Sequence, residues 1–125
     1  MAEALARQGE HRAALVAARE GLEDQERTGQ RRWEPELHRL EAIALCGLDQ
    51  SEDGQTALEK ALCVARRQRA KSYELRAARD LARLWGKRGQ KTEARELLAA
   101  VYEWFTEGFD TADLKDAKVL LDELT

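Results

Sequence analysis

Four basic side chains recur at helical spacing in the second half of the chain. We call them the basic stripe: Arg76, Arg79, Arg83 and Lys87. Side chains three and four positions apart lie on one face of a helix, so the stripe predicts a cationic surface. Because arginine can bind a carboxylate through two parallel hydrogen bonds, an acidic peptide is the ligand class this surface would suit. A solvated stripe neutralised by Asp80 and other nearby acids explains the pattern equally well.

Residues that hold metals or perform acid–base chemistry are few and scattered. His11, His38, Cys46 and Cys63 form no close pair at the spacing of zinc ligands, so we predict no metal site. The two cysteines are predicted to be small apolar residues at helix contacts. Four carboxylates lie close together near the end of the chain, but they do not follow the alternating pattern of a calcium loop: Glu103, Glu107, Asp110 and Asp113. We therefore predict no enzyme activity and no cofactor.

Charge is distributed unevenly along the 125 residues. The net charge is −3, whereas residues 64–95 hold 11 basic and 3 acidic groups, a local net charge of +8. Aromatic residues near Arg66 and Arg67 leave open a nucleic-acid-binding accessory domain that stacks bases. The acidic net charge argues against that alternative, because nucleic-acid-binding domains are generally basic overall.

The composition favours a helical protein of the cytoplasm. Ala, Leu, Glu, Arg and Lys dominate, and there is one proline. No apolar run approaches the ~20 residues of a membrane span, and no signal peptide opens the chain. Two distant cysteines fit reduced thiols, so we predict a cytoplasmic chain without membrane contact.

Apolar residues three and four apart predict helices throughout, arranged as antiparallel hairpins. The expected single domain, 1–125, comprises hairpins at about 1–28, 33–69 and 72–105 and a capping helix at 110–124. Gly9 should end a short first helix before the helix 11–27. Four alanines mark predicted close crossings between helices, where small side chains let backbones approach: Ala44, Ala57, Ala82 and Ala94.

The second hairpin offers two predicted faces. The stripe that should face inward comprises Leu37, Leu40, Ile43, Ala44 and Gly47. The face expected to continue the basic stripe into a mixed groove comprises His38, Glu41, Leu45 and Leu48.

Helix starts are predicted from capping residues. Ser72 should cap the third hairpin, and Asp110 the last helix, with Asp113 three residues later. Phe109 should pack on Leu114, and Trp104 should help to seat this last helix.

A spaced glycine and alanine recur along the chain. Gly9 precedes Ala14 by five residues, as Gly89 precedes Ala94, and Ala57 holds the middle position behind the predicted loop 49–54. The intervals between the alanines are 43 and 37 residues, a range typical of stacked helical hairpins.

Paired helices with small residues at the crossing and glycine in the turn resemble tetratricopeptide-like repeats. Three segments are similar to C-terminal repeats of bacterial signalling proteins: QRRWEPELHRLEA, ALCVARRQRAKSYELRAARDLARLWGKRGQKTEARELL and VYEWFTEGFDTADLKDAKVLLDEL. Those proteins join a class III adenylate or guanylate cyclase to an AAA or STAND ATPase. The resemblance implies a right-handed superhelix whose concave groove binds protein. It transfers no activity, because Gly86-Lys87-Arg88 is not a phosphate-binding loop.

The start of the chain suggests self-association. A full partner helix before Gly9 would need further turns upstream of Met1, so Leu15 and Leu22 should be exposed and seek a second copy or a missing repeat. Alternatively, the chain is purely a structural cap that terminates a longer array.

Overall fold

A computed structural model of the chain describes residues 2–30, 32–105 and 111–124, with side chains from Gly9 onward. This part of the chain is helical and contains no strand, which confirms the all-α prediction. The helices are α1 (Ala2–Thr28), α2 (Glu34–Gly47), α3 (Ser51–Gln68), α4 (Lys71–Lys87), α5 (Lys91–Tyr102) and α6 (Ala112–Glu123). None of them, over the residues described, is long and apolar enough to cross a membrane.

The turns that follow α2, α3 and α4 share one geometry. Asp49, Arg69 and Gly89 each have a positive φ, of 62°, 57° and 82°. The next N–H donates to a carbonyl five residues earlier at 2.9 Å in every case: Gln50 to Leu45, Ala70 to Ala65 and Gln90 to Trp85. These bonds form the Schellman motif, which satisfies carbonyls that the end of a helix would leave without partners. The helices from α2 to α5 therefore follow one another through short turns, at bounds close to those predicted.

The chain divides into two compact units, Met1–Val64 and Ala65–Thr125, with the boundary inside α3. In the first unit α1 packs against α2. The start of α3 approaches α2 at Gly54, where a Cβ atom would lie 3.2 Å from the backbone oxygen of Ala42. Gly54 is thus a buried contact residue within α3, and the loop predicted for 49–54 ends at Gln50.

The predicted inward stripe of α2 is wrong in part. Leu40 and Ile43 are 42% and 44% exposed. Ala44, a member of the predicted stripe, is buried, and so are its neighbours Ala42 and Leu45. Apolar residues occur on both sides of α2, so spacing alone could not decide which side faces inward.

The second unit has a layered helical core. α4 packs against α5, and α6 contacts both of them. The largest fully buried side chains of this unit are Leu75, Leu81 and Leu98. The predicted crossing residues Ala82 and Ala94 are fully buried, and the predicted apolar face of α6 contributes four buried residues: Leu114, Ala117, Leu120 and Leu124.

The expected helix break at Gly9 is wrong. α1 runs without interruption from Ala2 to Thr28, so the described part of the segment predicted as the first hairpin is one helix. Leu15 and Leu22 are half-buried and not exposed. The observations on which self-association was predicted are therefore absent, and self-association itself stays a prediction.

Two predicted caps also differ from the structure. Ala70 occupies the N-cap of α4, which leaves Ser72 inside the helix. Thr111 occupies the N-cap of α6 and makes no side-chain capping bond. Asp110 and Phe109, on which the capping prediction rested, lie outside the described residues.

The replacement Gly9→Ala tests the continuity of α1. Alanine in a helix interior is favoured over glycine by about 1 kcal/mol, and a Cβ at Gly9 would meet no atom within 4 Å. We expect the free energy of unfolding in urea to rise by roughly that amount. The control Gly29→Ala should lower it, because Gly29 has a φ of 76°. A lower stability of Gly9→Ala would instead support the expected break.

Candidate interaction surface

The first half of the basic stripe is bound to α6. Arg76 donates from Nε to Asp113 at 2.8 Å. Arg79 donates to the other carboxylate oxygen of Asp113 at 3.4 Å and lies 3.6 Å from Asp116. The Arg79 side chain is only 11% exposed and also donates to Asp80 at 3.3 Å. These two arginines therefore neutralise the acidic start of α6.

The second half of the stripe is more accessible. Arg83 is exposed, and its Nη1 lies 3.6 Å from Asp80. Lys87 is exposed and has no ion pair within the described residues. Only this end of the predicted stripe is thus available to an external carboxylate without competition from α6.

His38 and Glu41 lie together on α2 in the first unit. Glu41 accepts a hydrogen bond from Nε of Arg19 on α1 at 3.1 Å. The imidazole of His38 lies between two carboxylates, with Nε2 3.7 Å from Glu34 and Nδ1 3.6 Å from Glu41. The buried Nδ1 atom has no hydrogen-bond partner in the described part of the chain. His38 also borders a cavity of about 140 Å³ between α1 and α2.

The six predicted surface residues are distributed over the two units. His38 and Glu41 belong to the first unit, and the whole basic stripe belongs to the second. Leu45, expected in the groove, is buried, and Leu48 is half-buried. A single groove shared by both units stays a prediction.

The described residues contain no group of three or more His, Cys, Asp or Glu side chains that could hold a metal ion. Both cysteines are free thiols, and Cys46 is half-buried. Cys63 is exposed, so its predicted position in a helix contact is wrong.

A cleft of about 570 Å³ lies where α3 ends and α4 begins. Its lining residues define what we call the Trp104 cleft: Arg66, Arg69, Lys71, Glu74 and Trp104. Trp104 is 57% exposed, so the expectation that it seats the last helix is wrong. The sequence indicated these cations as part of a basic segment and a possible nucleic-acid surface, but not as the lining of a cleft. The run of basic residues just before α4 was the available signal.

Comparison of the chain with protein-family models, with curated proteins and with solved structures finds no match.

Proposed function

We propose that this chain is a protein-interaction module of tetratricopeptide-like hairpins that binds an acidic peptide. The observation that supports it is a set of exposed cations in the second unit. Six of them have no ion pair within the described residues: Arg67, Arg69, Lys87, Lys91, Arg95 and Lys115. Exposed basic groups that no internal carboxylate neutralises can attract and bind an acidic partner.

The helical architecture is compatible with this role. Short turns of one geometry connect α2 to α5, and buried alanines lie at the helix crossings. A right-handed superhelix, and a place within a bacterial cyclase or ATPase signalling protein of the cytoplasm, belong to the proposal. Self-association is a separate proposal, which the exposed apolar side chains of Leu40 and Ile43 favour.

Nucleic-acid binding is the second candidate, because an exposed tryptophan stands among cations at the Trp104 cleft. Two properties favour an acidic peptide. The chain carries a net charge of −3, and Arg76 and Arg79 already bind carboxylates of α6. The negative net charge opposes a nucleic acid, which carries a charge on every nucleotide, more than a short peptide with a few carboxylates. The two ion pairs with α6 are contacts of the kind that a peptide carboxylate would make.

The proposal predicts that a fluorescein-labelled oligoglutamate peptide binds the full chain in a fluorescence anisotropy titration. Affinity should fall as the ionic strength rises toward about 1 M, where the Debye length shrinks to about 3 Å. A labelled oligolysine peptide of equal length is the matched control and should not bind. Equal affinity for both peptides, or no binding of oligoglutamate, would contradict the proposed function.

A further inference from the structure

The Trp104 cleft is assembled from the ends of three helices. The turn after α3 places Arg66 and Arg69 next to the start of α4. α5 packs against α4. Trp104, two residues after the end of α5, therefore reaches Lys71 at the start of α4. The Lys71 ammonium lies 5.1 Å from the centroid of the Trp104 ring. Cations and an aromatic surface thus line one cleft.

A buried carboxylate orders two of these cations. Glu74 is 4% exposed, and each of its oxygens is paired. Arg66 donates from Nε to Oε2 at 3.1 Å, and Lys71 lies 3.1 Å from Oε1. A guanidinium has five N–H donors, more than this one carboxylate oxygen can accept, so Arg66 retains donors for a ligand. Side chains held in place before binding lose less conformational entropy when a ligand arrives.

Trp104 supplies an apolar surface beside these donors. Its ring is exposed and contacts Phe105 edge to face, with ring centroids 5.2 Å apart. Tryptophan and arginine are among the residue types that most often dominate the binding energy of protein interfaces. A ligand with both a carboxylate and a large apolar side chain would match it.

Arg69 occupies a position at which glycine has the lowest conformational energy. Its φ of 57° is left-handed, as is that of Gly89 in the corresponding turn after α4. The side chain is exposed and has no ion pair within the described residues. No contact within the described residues thus explains why an arginine stands where glycine would be more stable.

We propose that the Trp104 cleft is the docking site for the acidic peptide, and that the peptide carries an aromatic residue next to its carboxylates. Arg69 and Arg66 bind a carboxylate, and the aromatic side chain packs on Trp104. This inference rests on the proposed function and names the site and the ligand class within it.

The test compares Arg69→Gly and Trp104→Ala with the unchanged full chain. The probes are labelled peptides of alternating glutamate and phenylalanine, and of alternating glutamate and alanine. Because glycine suits the backbone at Arg69, a loss of binding in Arg69→Gly will not come from unfolding. We expect both peptides to bind this variant about tenfold more weakly. Trp104→Ala should weaken the phenylalanine peptide about tenfold and the alanine peptide much less.

Lys91→Ala and Arg95→Ala are the matched controls, because both remove exposed cations at the opposite end of α4 and α5. We expect each control to weaken binding by no more than about twofold, because Lys91 and Arg95 add to the overall attraction but do not line the cleft. If they lose binding while Arg69→Gly and Trp104→Ala retain it, the cleft assignment is overturned and the proposed function survives. If neither peptide binds the unchanged chain, both fail. Tighter binding of labelled oligothymidine, lost in the cleft variants, would overturn the peptide in favour of nucleic acid.

Discussion

The replacement Arg79→Glu is expected to detach α6 from α4 and to lower the free energy of unfolding by about 3 kcal/mol or more. Arg79 is largely buried and lies within ion-pair distance of three carboxylates, on Asp80, Asp113 and Asp116. A glutamate at this position removes their shared cation and adds a fourth negative charge. Urea denaturation, monitored by circular dichroism, measures the decrease in the free energy of unfolding.

The control for Arg79→Glu is Lys87→Glu, the same charge reversal on the same helix. Lys87 is exposed and has no ion pair within the described residues, so Lys87→Glu should lower the free energy of unfolding by only about 1 kcal/mol, the cost of an anion in the last turn of α4. Similar stability of the two variants would argue against the contact of Arg79 with α6. Because Arg79→Glu alters the folded structure, a loss of peptide binding in that variant would not identify a binding residue.

Shortening the core side chain of Leu98 should lower the free energy of unfolding about as much as Arg79→Glu does. Leu98 is fully buried on α5, which contacts α4 and α6. Leu98→Ala removes the buried methyl groups and leaves a cavity, and such replacements typically lower the free energy of unfolding by about 2–5 kcal/mol. Urea denaturation again provides the measurement.

Val119→Ala is the matched control for Leu98→Ala, because Val119 lies on α6 and is 57% exposed. We expect its stability to stay within about 0.5 kcal/mol of the unchanged chain. A loss for Leu98→Ala no larger than that would mean that α5 does not pack as described.

The helices α3 to α5 could be predicted because local and long-range requirements agree there. Alanines at the crossings and leucines three or four positions away define one face, and Ala57, Ala82 and Ala94 are indeed buried. Glycine or a left-handed residue between the helices then provides the turn.

In the first unit, neither the course of α1 nor the buried face of α2 could be predicted correctly from the sequence. Glycine costs a helix only about 1 kcal/mol, which the neighbouring residues of α1 can offset, so Gly9 does not end it. On α2, Leu40 and Ile43 fit the helical period as well as the buried residues do. Their exposure depends on which neighbouring helix packs there, and local periodicity does not contain that information.

The candidate site could be predicted only in its composition. The basic stripe was visible, but its partner Asp113 lies 37 residues beyond Arg76 and reaches it only through the packing of α6. The Trp104 cleft likewise joins Arg66 and Trp104, which are distant in sequence. Contacts between separate helices decide which cations remain available.

Under the proposed docking of a peptide in the Trp104 cleft, stability and binding have opposite requirements at Arg69, which lies in a left-handed turn. A residue with a side chain costs about 1–2 kcal/mol in this conformation, and glycine avoids that cost. A screen that selects for thermal resistance alone should therefore enrich Arg69→Gly. The stabilised variants from such a screen would bind the proposed peptide about tenfold more weakly, so engineering of this chain must select for stability and binding together.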